Sequence, residues 1–207
     1  MLQVLGKSSS INVRKVLWLC AELGLPFEHE QWGSGFKPTQ TPEFAALNPN
    51  ALVPVIRDGD FVLWESNTIC RYLATRHERR DLLPTEAQAR ARVEQWMDWQ
   101  ATELNNAWRY AFMRLVRQSP HHTDEGATAV SVSEWNRHMS LLEAQLAHTG
   151  AFVTGGSFTL ADIVLGLSTH RWFAAPIERP HLPALATYYE RLSQRPGFQL
   201  HGRNGSP

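Results

Sequence analysis

The stretch from Leu52 to Leu73 changes its hydrophobic period twice, and that change restricts the fold more than any other feature of the chain. Leu52-Val53-Pro54-Val55-Ile56 is an apolar, β-branched run, Asp58-Gly59 is a hairpin turn signal, and Phe61 to Trp64 is the run that returns. Glu65-Ser66 follows at once. Ser66 reads as a helix N-cap, because a serine hydroxyl can accept from the free N–H groups of a first turn. Behind it Ile69, Cys70 and Leu73 form a stripe at helical spacing.

The segments before it complete the pattern. Leu2 to Leu5 is a short buried strand ended by Gly6, and Lys7 to Asn12 is a polar loop. Val13, Val16, Leu17, Cys20 and Leu23 then recur as a helix, stopped by Gly24 and Pro26. Phe27 to Trp32 is a second strand. Gly33 to Pro49 is an irregular connection with one helical turn near Glu43 to Leu47. Strand, helix, strand, irregular segment, hairpin and helix make a small sheet covered by helices.

Asp81 to Thr85 breaks this order and reads as a linker, and no strand follows it. Val93, Trp96, Met97, Ala101, Leu104, Trp108, Ala111, Phe112 and Leu115 sit three or four apart, which predicts one long amphipathic helix. Ser119 to Gly126 is a polar break. Val132, Trp135, Met139, Leu142 and Leu146 mark another helix, closed by Gly150. Thr159-Leu160-Ala161-Asp162 is a capping box with Asp in the place of Glu, opening an apolar helix. Pro183 to Leu192 is a short helix that Pro196-Gly197 should stop, and the tail from His201 to Pro207 should be loose.

The totals exclude several classes. Lys+Arg and Asp+Glu both number 20, so a formal charge of zero argues against nucleic acid or an anionic membrane as partner. No run approaches the ~20 apolar residues of a membrane span, and Met1 to Ser10 lacks the layout of a signal peptide. Two cysteines, Cys20 and Cys70, sit in apolar helical patterns as inert core thiols and fit a reducing compartment. His121-His122 has no partner at metal-ligand spacing, so no metal is expected.

Three segments carry a family resemblance. Ser10-Ile11-Asn12-Val13-Arg14-Lys15-Val16, Asn48-Pro49-Asn50-Ala51-Leu52-Val53-Pro54 and Leu63-Trp64-Glu65-Ser66-Asn67-Thr68-Ile69 resemble, in order and spacing, the glutathione-contacting segments of cytosolic glutathione transferases. Gly155 to Asp162 resembles the capping motif of that family's helical domain. Among branches the chain is most similar to the bacterial serine-type, theta-like group, which includes an enterobacterial enzyme acting on bromoacetate. The resemblance implies an α/β thioredoxin-like domain over residues 1–80 and an all-α helical-bundle domain over residues 87–207. It also implies glutathione as co-substrate, a small electrophile as partner, a homodimer and a cytoplasmic location.

Residue by residue, the resemblance implies a cis Val53–Pro54 bond that turns the backbone of Val53 outward, beside Leu52, to pair with the cysteinyl unit of glutathione as an added strand would. Ser66 would receive the γ-glutamyl carboxylate at a helix N-terminus, where N–H groups and partial positive charge are concentrated. Glu65 would pair with the ammonium. The plainer reading is a cap and a solvated charge. Ser10 is the candidate for holding the thiolate by a hydroxyl hydrogen bond, with Ser9 and Asn12 as alternatives. A free thiol titrates near ~8.5, and each unit of depression needs only ~1.4 kcal/mol. The plainer reading makes Ser10 or Asn12 the cap of the first helix. Trp108, Arg109 and Phe112 could line the acceptor site, with Arg109 drawing in a carboxylated or halogenated electrophile; the plainer reading is core for the rings and a surface ion pair for Arg109. Lys37 or Gln40 could reach the glycyl carboxylate, or simply be solvated.

The activity that follows is attack of the glutathione thiolate on a small electrophile. Two alternatives stand beside it. One is a glutathione-dependent isomerase of the maleylacetoacetate type, whose relatives carry a Cys in the serine-rich loop where this chain has none. The other is a non-enzymatic interaction module of the same fold.

Overall fold

Strand β1 (Leu2–Leu5) pairs parallel with β2 (Phe27–Glu30) on one side and antiparallel with β3 (Val55–Asp58) on the other. β4 (Phe61–Trp64) completes a mixed sheet of order β2-β1-β3-β4. The computed structural model describes residues 1–205 and 207. Parallel neighbours need a crossover, and helix α1 (Ile11–Leu23) supplies it. Alternation along the strands divides the sheet's two faces. Val4 opposite Ile56 packs with Ile11, Val16, Ile69 and Leu73 from α1 and α3 (Ser66–Arg76). Leu5 opposite Val55 packs on the other face with Trp32 and with Phe44 of α2 (Pro42–Ala45).

Local chemistry moves several expected boundaries. β3 starts at Val55, since Pro54 has no N–H to give a ladder. Asp58 pairs with Phe61, so the hairpin loop is Gly59-Asp60, one residue later than the sequence suggested; Gly59 supplies the positive φ of 63°. β2 ends at Glu30, and the Trp32 ring turns onto Phe44 at 4.9 Å.

In the second half the expected single long helix is α4 (Ala87–Trp99), a π-helical turn over Gln100–Leu104 and α5 (Asn105–Leu115), continuous in the chain. Helix α6 (Glu125–Thr149) is capped by Asp124, whose carboxylate accepts from Ala127 N at 2.9 Å, and ends at Gly150. α7 (Leu160–Ala174) is buried from Leu160 through Trp172 and forms the centre around which the other helices pack. Its first turn is held by Asp162, which accepts from Val153 N at 2.9 Å, Thr159 N at 2.8 Å, Thr159 Oγ1 at 3.1 Å and Tyr188 Oη at 3.2 Å. Burial still pushes its carboxyl up to about 6. α8 (Pro183–Leu192) follows. Pro196 then does not stop the chain: it opens α9 (Pro196–His201), where a missing N–H at the first helical position loses nothing.

The tail is also more ordered than its composition suggested. Arg203 N donates to Phe198 O at 2.8 Å, and Asn204 Oδ1 accepts from Arg14 at 3.2 Å. Ser206 lies outside the described residues.

The sheet half and the helical half share one hydrophobic core. Trp18 of α1, fully buried, lies against Phe158 at 5.8 Å and Phe198 at 4.9 Å. Close approach requires glycine on both helices that meet it. A Cβ on Gly166 would stand 3.0 Å from Trp18 and 2.6 Å from Leu192, and one on Gly197 would stand 2.5 Å from Trp18. Glu22 of the same helix accepts from Nε and Nη2 of Arg195, at 3.0 and 2.6 Å. The fold is thus a thioredoxin-like sheet domain docked on a helical bundle. Among the described residues no helix is long and apolar enough to cross a membrane.

Candidate active site

Three chain segments meet where β1, β3 and β4 give way to loops and helices. The first is the turn from β1 into α1. Gly6 there has φ 146°, and a Cβ would collide with Val13 at 2.5 Å and Val53 at 2.9 Å, so this turn and the loop carrying Val53 touch directly. Ser8 is tied to Gln31, its N–H donating to Oε1 at 3.0 Å. Ser10 is the N-cap residue of α1, with its carbonyl accepting from Arg14 N at 2.9 Å. Its hydroxyl accepts no helix N–H, and the first turn holds no acidic residue, so the positive end of α1 is left uncapped by side chains.

The second segment is the loop before β3. The buried side chain of Asn48 organises it, with Nδ2 donating to Leu52 O at 2.7 Å and Oδ1 accepting from Asn50 N at 3.0 Å. This leaves Leu52 exposed and leads into a cis Val53–Pro54 bond.

The third is the junction of β4 and α3, and it departs from the sequence reading. Glu65, not Ser66, is the N-cap: its carboxylate accepts from Thr68 N at 2.9 Å and Thr68 Oγ1 at 3.2 Å. Ser66 is the first helical residue and is buried. Glu65 holds φ 76°, a left-handed backbone that a non-glycine residue adopts at a cost of order 1–3 kcal/mol. Such strain is concentrated at binding sites.

The three segments enclose a cleft of 250 Å³ walled by Asn12, Asn48, Asn50, Leu52, Val53, Pro54, Trp64, Glu65 and Ser66. Six residues singled out from sequence share it. Ser9 and Ser10 are not in its wall and stand half-buried at the start of α1. Asn48, Asn50 and Trp64 were missed as site residues, although the loop's Asn-Pro-Asn run was itself a turn signal. A larger groove of 530 Å³ runs between Arg80 and Thr159 at the linker; it is lined by Gly156, Ser157 and Thr159 of the capping motif but by none of the glutathione-contacting segments.

The surroundings of the cleft are rich in buried cations. Lys15 Nζ, from α1, donates to Gln100 Oε1 at 2.9 Å, Asn67 Oδ1 at 3.1 Å and Ser66 Oγ at 3.5 Å. Burial lowers its pKa to about 8. Arg14 is fully buried, and burial, then Arg117, lowers its pKa to about 10. Arg171, from α7, lies over the rings of Trp108 at 4.5 Å and Phe112 at 4.0 Å. Burial, then Arg14 and Arg117, drives its pKa down.

Trp108 and Phe112 are thus buried, while Arg109 is exposed and stands apart from both. The cation on these rings comes from α7, whose apolar first half gives way to Ser168-Thr169-His170-Arg171. Lys37 is ion-paired with Glu30. Cys20 and Cys70 are free and buried, with both thiols pushed up to about 12 by burial, so neither is a nucleophile at neutral pH. Among the described residues no group of His, Cys, Asp and Glu could hold a metal ion.

Comparison with known proteins decides the family. The glutathione S-transferase N-terminal domain matches residues 9–76 and the C-terminal domain matches residues 122–191. The chain is 37% identical to the glutathione S-transferase GstB of Escherichia coli (strain K12) over 201 residues, 96% of each chain. The chain belongs to the glutathione S-transferase family. It is also 34% identical to human glutathione S-transferase theta-1 over 164 residues, covering 76% of this chain and 68% of that one. In structure it matches the theta-class enzyme of Xanthomonas axonopodis pv. citri, solved with glutathione bound, at a TM-score of 0.92 and 36% identity, over 100% of this chain and 99% of that one. Both structural halves of the family are present, and membership makes the chain an enzyme of the transferase class.

Proposed function

We propose that the cleft holds glutathione, with the cysteinyl unit against Leu52-Val53-Pro54 and the γ-glutamyl end against Glu65-Ser66, and that Ser10 holds the thiolate. Ser9 and Asn12 are the alternative donors. The observation that carries this reading is the single cleft shared by Asn12, Leu52, Val53, Pro54, Glu65 and Ser66, residues from three separate segments. The uncapped N-terminus of α1 favours an anion beside Ser10. The thiol proton leaves to solvent. The thiolate sulfur then attacks an electrophilic carbon, a carbon–sulfur bond forms, and the leaving group departs with its electron pair. The protein contributes positioning and anion stabilisation.

The acceptor is a small electrophile, and a haloacid losing halide is the specific case we favour. The support for an anionic acceptor passes from Arg109 to Arg171 and Arg117, which lie over the Phe112 ring at 4.0 and 5.4 Å, and to Arg14 of α1, whose charge acts on Arg171. The reading includes a sheet domain over residues 1–80 and a helical domain over residues 87–207. It also includes a cytoplasmic location, which the free cysteines fit, and a homodimer. The dimer is supported by an apolar groove on α4 and α6 lined by Trp96, Trp99 and Leu141, the last 46% exposed.

The test is glutathione binding by calorimetry with a thiolate absorbance titration, on the parent and on Ser10→Ala. The expected result is binding by both, with a lowered thiol pKa in the parent alone. A lowered pKa that survives Ser10→Ala moves the role to Ser9 or Asn12. Absence of binding by the parent overturns the reading.

A further inference from the structure

Lysine is almost never fully buried unless paired with a carboxylate. Lys15 is 1% exposed, and among the described residues every oxygen that meets its ammonium is neutral. The two amides that hold it are themselves fixed. Asn67 Nδ2 donates to Met97 O at 2.9 Å, and Gln100 Nε2 donates to Asn105 Oδ1 at 2.7 Å, so both amide oxygens face the lysine. Gln100 opens the π-helical turn, a widened geometry that recurs at functional sites. The third and longest contact, 3.5 Å, runs to Ser66 Oγ in the wall of the cleft.

We propose that Lys15 is a positioning residue for the γ-glutamyl end of glutathione: held behind Ser66 by neutral oxygens alone, its ammonium is the buried counter-charge for the carboxylate that Ser66 receives. The proposal rests on the glutathione reading of the cleft. The arrangement keeps the charge available. Glu65, the carboxylate of the cleft wall, is engaged by Thr68. The charged and titratable groups that act on Lys15 are Cys70 and Arg71 on α3, Glu65 at its N-cap and Arg171 on α7, and both arginines oppose its charge. A ligand carboxylate at the start of α3 offsets that opposition. It also raises the affinity of Lys15 for its proton, so binding above pH 8 draws a proton from solvent.

The experiment uses S-methylglutathione, which has no thiol proton to confuse the count, and its analogue with a 4-aminobutyryl group in place of γ-glutamyl, which lacks only the carboxylate in question. Binding to the full-length parent, Lys15→Met and Gln100→Glu is measured by calorimetry at pH 8.5 in buffers of different ionisation enthalpy. The parent is expected to prefer S-methylglutathione and to take up protons on binding it. Lys15→Met should lose on the order of tenfold to a hundredfold in affinity for S-methylglutathione, lose part of the proton uptake, and bind the analogue as the parent does. Gln100→Glu gives Lys15 a carboxylate within the protein, so it should lose the same preference while keeping the lysine; it decides the matter should Lys15→Met fail to fold. Equal losses for both peptides, or an unchanged preference, overturn the role of Lys15. A parent that binds neither peptide overturns the glutathione reading itself, a distinct result.

Discussion

The guanidinium of Arg171 lies 4.0 Å from the ring centroid of Phe112, and its buried Nε has no hydrogen-bond partner among the described residues. A buried cation held against rings is costly to desolvate, and replacing it by an apolar side chain of similar length is often neutral or stabilising. Arg171→Met should therefore keep or raise the thermal midpoint. In the same variant kcat/KM for iodoacetate should fall about tenfold, equivalent to about 1.4 kcal/mol, while that for neutral iodoacetamide stays the same. Equal effects on the two acceptors would remove Arg171 from acceptor selection.

Ser10 carries a second prediction. Its hydroxyl is not used to cap α1, so its loss should leave the helix intact. Ser10→Ala should lower kcat/KM by roughly 10- to 100-fold, the scale of one hydrogen bond to a charged group, with a change in thermal midpoint too small to matter. Ser10→Thr should restore most of the rate. Steady-state kinetics at saturating glutathione separates this from a binding defect.

Removal of Asp162 should act on stability alone. Four donors converge on its carboxylate, and it is fully buried. Asp162→Ala strands those donors, and each stranded group costs about 1–3 kcal/mol. We expect a loss of about 3 kcal/mol or more in urea unfolding, with glutathione affinity of the remaining folded protein unchanged.

Lys15 gives the chain a pH signature. Its pKa falls from 10.5 in a free side chain to about 8 in the fold. Between those values the unfolded chain binds more protons, so stability rises with pH there. The full penalty applies below pH 8 and amounts to roughly 3 kcal/mol when the two pKa values are converted. The thiols of Cys20 and Cys70, raised by burial, act in the opposite direction above pH 9. The useful quantity is the difference between parent and Lys15→Met. That difference should shift in the parent's favour from pH 8 to 10.5, as read by denaturant midpoints, and a flat difference would contradict it.

Much of this molecule can be read in its sequence because its signals are local. The strand at Leu2 to Leu5, the hairpin, the stripe behind Glu65-Ser66 and the capping box at Thr159 to Asp162 each depend on residues a few positions apart. The cleft was legible for the same reason, as three short clusters. What escaped depends on contacts across long separations. Lys15 looks like a solvated helix lysine until Ser66, Asn67 and Gln100 surround it, 51 to 85 residues away. Arg171 follows the apolar half of its helix with no hint that two rings await it. Arg109 shares a turn with Trp108 and Phe112, yet sequence proximity did not put it on their face. At Glu65-Ser66 either residue could cap, and the carboxylate of Glu65 is the one that reaches Thr68 N.

The two glycines against Trp18 bear on how such a chain can be recombined. Gly197 belongs to the helical half, yet the side chain that forbids any larger residue there is Trp18 of α1 in the sheet half, and at Gly166 Trp18 closes the space behind Leu192. A chimaera that joins this sheet half to a foreign helical half inherits Trp18 without the glycines that admit it and must shift α1, whose N-terminal end carries Ser10, Asn12 and Lys15. The halves look interchangeable as modules, but they are a matched pair, and swapping one misaligns the other's chemistry before any catalytic residue is touched.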